Sequence, residues 1–213
     1  MSTKRDSLRP TCLAMLIVVL GSLVIAYYVT YGFSAVTSDK ARQLALAESP
    51  RTLPELDLVD SQNRRTSLRA MVRSHRFSVV TLVYTQCTTL CLVTASSDAY
   101  LHAKLRQHGL EHQVQLLTLS FDPARDTPEA LAAYARRIRA DARSWTMATV
   151  SNPSDLDPLL DAFGIVVIPD GNGEFVHNGA LFLVNDSAEL FEAIDPERAD
   201  LALARLTGLV RQP

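Results

Sequence analysis

Two apolar runs constrain this chain more than any other feature. Residues 77–84 (FSVVTLVY) are a continuous β-branched and aromatic run, and 114–121 (VQLLTLSF) read as a second, uncharged central strand. That is the pattern of strands buried on both faces of a sheet. Residues 92–108 between them read as a helix, with Gly109 as its natural stop. Helices placed between such strands imply a parallel core.

The flanking segments fill in the frame. Residues 53–60 alternate apolar and polar as a half-buried strand does, 61–64 make a turn, 66–68 return as a short partner, and 67–71 can open a helical turn. Downstream, Thr127 can cap a helix, Pro128 suits its first position and Glu129 favours the positive end of its dipole. That helix is expected to run to about residue 140. Asn152-Pro153 opens another, ending near Phe163-Gly164. Residues 165–168 form a short strand, 169–173 a dense turn, and 181–184 and 189–194 antiparallel strands joined by Asn185-Asp186-Ser187. Asp195-Pro196 starts a C-terminal helix. A thioredoxin-like α/β sandwich with a central mixed sheet fits this order, which other mixed α/β domains share.

The N-terminus sets a second constraint. From Thr11 to Ser38 there is no charged residue, and a bilayer core of ~30 Å needs roughly 20 apolar residues in a helix. Lys4, Arg5 and Arg9 precede the run, against Lys40 and Arg42 after it, a modest bias toward a cytoplasmic N-terminus. Tyr27, Tyr28 and Tyr31 suit the far interface. The competing reading is a cleaved signal peptide, whose apolar region is shorter. Cys12 lies at the start of the run, which argues against lipoprotein cleavage. The expected organisation is a cytoplasmic tail over 1–10, a transmembrane anchor over 11–33, a linker or weak helix over 34–50 and a folded domain over 51–213. Its residues face the periplasm or an equivalent oxidising side. Of 213 residues the net charge is −2, with both signs interspersed. No basic stripe exists to neutralise phosphates, so nucleic acid is not an expected partner.

The chain has three cysteines, too few for a disulfide scaffold. Cys87 and Cys91 stand where the first central strand gives way to a helix. A thiol at a helix N-terminus has a lowered pKa. Residues four apart on a helix share a face, with Cβ atoms about 5–6 Å apart. Two thiolates so placed can chelate one metal ion, and they lie near disulfide reach. Chance spacing is the alternative, although an oxidising compartment makes unpaired structural thiols uncommon. His177, after the Gly-rich turn, is a candidate third ligand; the plainer reading is a solvated loop histidine. Two thiolates and one imidazole suit copper, whereas structural zinc usually takes four protein ligands. His102, His108 and His112 read as surface residues, and Met71, Met147, Trp145 and Phe163 as core.

The succession strand, C-x-x-x-C, strand, Asp122-Pro-Ala-Arg-Asp126-Thr-Pro-Glu129, Trp145, Ala162-Phe-Gly164 and Val176-His177 resembles the Sco/SenC family, from about residue 50 to the C-terminus. The resemblance implies a thioredoxin-like fold and copper ligation by Cys87, Cys91 and His177. It also implies a role in delivering copper to, or reducing the cysteines of, the dinuclear copper centre of cytochrome c oxidase subunit II or a related client. The alternative is a thiol–disulfide oxidoreductase cycling a Cys87–Cys91 disulfide. A third is an interaction module with a partly degenerate site. Asp122 and Asp126 are expected to be structural, as an Asx-type turn and a helix cap. The chain departs from the family pattern at Thr88, where Pro is usual, at Val176, where an acid is usual, and at Val184-Asn185, where Ile-Asp is common.

Overall fold

The computed structural model describes residues 8–29, 38–87 and 90–211. They divide into two compact units, 1–44 and 45–213. In the first, α1 (Leu8–Val29) is a 22-residue helix whose large apolar side chains, Leu16, Ile17, Leu20, Leu23 and Val24 among them, are exposed. The expected span over 11–33 runs beyond α1 into residues outside the described set. Among the described residues no helix is long and apolar enough to cross a membrane. Residues 38–48 of the expected linker form α2 (Ser38–Glu48), from which Leu46 is buried in the core of the second unit.

The second unit is built on β1 (Arg51–Thr52), β2 (Asp57–Asp60), β3 (Arg65–Ser67), α3 (Leu68–Val72), β4 (Phe77–Val83), α4 (Leu90–Gln107), β5 (Val114–Ser120), α5 (Pro128–Arg137) and β6 (Trp145–Val150). It continues with α6 (Leu156–Phe163), β7 (Val167–Pro169), β8 (Phe175–His177), β9 (Leu181–Asn185), β10 (Glu189–Ile194) and α7 (Ala199–Val210). An eight-stranded sheet runs β1-β10-β9-β4-β5-β6-β2-β3. Its centre, β4-β5-β6, is parallel, and its flanks are antiparallel. This is the expected mixed α/β sheet, with the two apolar runs at its middle and every residue of both strands buried.

Three strands were not anticipated: β1, β6 and β8. Of these, residues 145–150 (WTMATV), expected only to contribute core Trp145 and Met147, form the third parallel strand. The signal was present, six residues without a charge, but the run is short and mixes Thr and Ala with apolar side chains. Pairing with β5 decides it.

The two faces of the sheet carry separate cores. One gathers Val80, Leu82, Tyr84, Leu117, Leu119, Phe121, Leu159 and Phe163. The other gathers Val79, Leu101, Leu105, Leu116, Tyr134, Trp145 and Leu206. The period-two alternation of strand side chains sorts them. Helix ends follow local chemistry. Thr127 caps α5 by accepting from the Ala130 amide, with Pro128 at the first helical position. Gly164 closes α6 at φ 63°, a left-handed conformation that costs glycine little.

The second face also holds a polar device. Asp98 of α4 is 2% exposed. Its Oδ2 accepts from the Thr81 hydroxyl at 2.8 Å and the Thr118 hydroxyl at 3.3 Å, and Trp145 Nε1 donates to Thr118 Oγ1 at 2.9 Å. Oδ1 has no hydrogen-bond partner among the described residues. Burial pushes this carboxyl up to about 7, against the partial relief of the two threonines. His102, expected at the surface, is buried beside this network. Its Nε2 lies 3.1 Å from Ser144 Oγ and its ring 5.4 Å from that of Trp145. The helical face it occupies points at β6, a strand the sequence did not reveal.

Because Asp98 holds its proton in the folded state to a higher pH than in the unfolded chain, its stabilising contribution is full below the unfolded value near pH 4. It is lost as pH rises toward 7. Asp98→Asn should therefore gain on the parent chain by roughly 2–3 kcal/mol between pH 5 and pH 8. Urea midpoints of both proteins at the two pH values measure this, and parallel pH profiles would contradict it.

Candidate metal centre

The β4 strand delivers the first cysteine. It ends at Val83, and Tyr84, Thr85 and Gln86 turn the chain so that Cys87 N donates to Tyr84 O at 3.3 Å. The turn is held from below by Asp126, which is fully buried. Its carboxylate accepts from the Thr85 amide at 2.9 Å, the Thr85 hydroxyl at 2.5 Å and the Ser120 hydroxyl at 2.5 Å. Arg137 Nη2 donates to Thr85 O at 2.8 Å. Asp126 is thus no helix cap. Thr127 has that role, and Asp126 points back across the ends of β4 and β5. Asp122 does not make an Asx turn either. Its backbone carbonyl accepts from the Arg125 and Asp126 amides, and its carboxylate pairs with Arg125.

Cys87 is half-buried and packs against the core on this face. Its thiol interacts with the Tyr84 hydroxyl and helps to push that hydroxyl's pKa up. Cys91 is the second residue of α4, so its backbone stands at a helix N-terminus as expected. Its side chain and residues 88–89, Thr88 included, lie outside the described residues.

The histidine arrives on a separate hairpin. The β7 and β8 strands form a two-stranded sheet of their own, with Val167 opposite His177 and Ile168 opposite Val176. The tip is closed by Asp170, whose Oδ1 accepts from the Asn172 and Glu174 amides. The base is stapled by Asn178, whose Oδ1 accepts from the Val166 amide at 2.7 Å and whose Nδ2 donates to Gly164 O at 3.1 Å. Alternation then turns His177 inward and Val176 outward. His177 is 8% exposed while Val176 is 64% exposed, so the histidine is not a solvated loop residue. It packs against Phe121 at 4.9 Å and Tyr84 at 6.2 Å between ring centroids. Its Nδ1 lies 2.9 Å from Asn178 O. A carbonyl can only accept, so Nδ1 carries the hydrogen and the lone pair is on Nε2. Burial lowers the imidazole's pKa, only partly offset by that hydrogen bond, and this favours the neutral ring that ligates metals.

Tyr84 touches both candidate donors. Its hydroxyl donates to Glu174 Oε2 at 2.5 Å and accepts from the Phe175 amide at 3.3 Å. Burial and that carboxylate push its pKa up, so it stays a donor at neutral pH. Arg125 sits over the Phe175 and Tyr84 rings at 5.1 and 5.7 Å, and its Nη1 donates to Gly173 O at 2.6 Å. None of Tyr84, Glu174 and Arg125 was singled out from the sequence. Tyr84 and Glu174 are too far apart in the chain for any local pattern to couple them.

A thiol and a neutral imidazole on one aromatic box form a soft, mixed S/N donor set. That chemistry fits copper. Among the described residues no group of three or more His, Cys, Asp and Glu side chains converges as a metal site; the side chain of Cys91, the second expected thiolate, is not in that set.

The SCO1/SenC family model matches residues 45–210. A protein of Stutzerimonas stutzeri named for copper binding is 31% identical over 178 residues, 82% of each chain. Among solved structures, a SCO1/SenC family lipoprotein of Bacillus anthracis superposes with a TM-score of 0.68 at 18% identity, covering 76% of this chain and 98% of its own. Yeast Sco1 with copper bound superposes at 0.63 and 16%, covering 76% and 91%. At these identities the two structures establish the shared thioredoxin-like fold.

If Asp126 is the anchor of the cysteine turn, Asp126→Ala leaves the Thr85 amide and two hydroxyls unsatisfied, at about 1–3 kcal/mol for each buried donor. We expect the unfolding free energy to fall by roughly 3 kcal/mol, with amide exchange at 85–87 accelerating more than in β5. Denaturant titration and exchange measurements check this. A loss under about 1 kcal/mol would contradict it.

Proposed function

This chain belongs to the SCO1/SenC family, and we propose that it is a membrane-anchored copper carrier serving the dinuclear copper centre of cytochrome c oxidase subunit II or a related copper client. It delivers the ion or prepares the client's thiols. The observation that carries this reading is the convergence on Tyr84 of Cys87 and His177, a thiol and a buried neutral imidazole from separate elements. A relative named for copper binding and a copper-bound structure of the same fold support copper as the cargo.

In this reading Cys87 and Cys91 bind as thiolates, because the thiolate is the form of cysteine that ligates metal. His177 completes the set through Nε2. Cuprous ion tolerates two sulfurs alone, whereas cupric ion prefers a tetragonal set with nitrogen. Formation of a Cys87–Cys91 disulfide removes two electrons and both thiol protons, and leaves no thiolate to hold metal. The second reading, a thiol–disulfide oxidoreductase, uses the same two sulfurs and does not need the imidazole. The buried, oriented His177 favours the carrier.

The N-terminal anchor rests on the charge-free stretch from Thr11 to Ser38 and on the exposed apolar side chains of α1. The flanking basic residues favour a cytoplasmic N-terminus, which puts the folded unit on the periplasmic or equivalent side of the cytoplasmic membrane.

The full chain, reduced in detergent, should bind one copper ion per molecule and lose it on oxidation to the disulfide. Equal retention in both states would refute the thiolate site. His177→Ala should lower cupric affinity by at least about tenfold, ~1.4 kcal/mol, with a smaller cuprous loss and an intact capacity for disulfide formation. If oxidase assembly proceeds normally with His177→Ala but fails with Cys87→Ser or Cys91→Ser, the oxidoreductase reading replaces the carrier. A periplasmic reporter fused after Pro213 should be active, and activity only of a cytoplasmic reporter would reverse the topology.

A further inference from the structure

The hairpin that carries His177 has no ladder to the main sheet. Among the described residues the β7 and β8 strands, three residues each, pair only with one another. Backbone pairing therefore does not fix the imidazole relative to Cys87. Side chains must. Asn178 holds the base of the hairpin to Gly164. The limb leading to His177 is held at three successive residues: Gly173 by Arg125, Glu174 by the Tyr84 hydroxyl, and Phe175 by the Tyr84 oxygen. Tyr84 is also the residue whose carbonyl receives the Cys87 amide. One residue thus ties the cysteine turn, through its carbonyl, to the histidine limb, through its hydroxyl.

We propose that Tyr84, through its hydroxyl, is the positioning residue that sets His177 against Cys87, with Glu174 as its anchor on the hairpin. This rests on the copper reading above and names what builds the nitrogen arm of that site. The ring of Tyr84 is core, and its hydroxyl is hydrogen-bonded to Glu174 and the Phe175 amide. Removing only the oxygen separates positioning from packing. The residue before His177 is the outward-facing Val176, whereas Glu174 is turned inward onto Tyr84.

The test uses the full chain in detergent with Tyr84→Phe, His177→Ala and the double variant. Cupric affinity is read by chelator competition, and nitrogen coordination by electron paramagnetic resonance. Tyr84→Phe should lower cupric affinity about tenfold and weaken the nitrogen signature, with cuprous affinity changed less than about threefold. In the His177→Ala background the same change should cost under about twofold, because a residue acting through His177 has nothing left to position. Glu174→Gln, which keeps an acceptor for the hydroxyl, should remain near the parent, and Glu174→Ala should follow Tyr84→Phe. Equal losses in both backgrounds would overturn the proposal by placing the effect on Cys87 or on the fold at large. Unchanged cupric binding in Tyr84→Phe would also overturn it. A metal-free readout stands apart from copper: amide exchange at 174–177 should accelerate in Tyr84→Phe while β4 and β5 remain protected. Should the parent chain bind no copper, the carrier reading falls. Exchange then decides the positioning by itself, unchanged rates overturning it and accelerated rates upholding it.

Discussion

The carboxylate of Asp126 accepts three hydrogen bonds in a site with no solvent exposure, and the turn that carries Cys87 depends on it. It joins the ends of two parallel strands, Thr85 after β4 and Ser120 at the close of β5. In a low-dielectric interior such a carboxylate persists only when donors surround it. The turn before Cys87 is therefore not a loop that happens to follow a strand. It is suspended from a buried charge-accepting group.

The same short segment reaches the other way. Arg125, adjacent to Asp126, pairs with Asp122 and donates to Gly173 on the histidine hairpin. Residues 122–126 act as a bolt between cysteine turn and histidine hairpin. Within it Asp126 holds the backbone before Cys87, and Arg125, fixed by Asp122, holds the limb before His177.

The two faces of the central strands carry different polar devices because strand side chains alternate. Thr81 and Thr118 turn toward α4 and meet Asp98, while Tyr84 and Phe121 turn the other way and enclose His177. Among the described residues Asp98 keeps one oxygen without a partner, and burial makes it hold its proton to near neutrality. Asp126 instead accepts from three donors at the ends of β4 and β5.

The sequence by itself determined the parallel centre, the site of the cysteines at a strand-to-helix junction, the capping by Thr127 and Pro128, and the identity of His177 as the candidate imidazole. Each is a local property: hydrophobic period, turn chemistry and residue spacing act over a few positions. Tertiary structure alone decided what was misread or unseen. Trp145 heads a third parallel strand because β5 pairs with it, His102 is buried because that strand covers it, and Asp126 turns inward because Thr85 and Ser120 offer donors there. The burial of His177 and its link to Cys87 through Tyr84 and Glu174 belong to the same class. Such contacts join residues far apart in the chain, and their energies arise only when the fold removes both partners from water, so no local pattern encodes them.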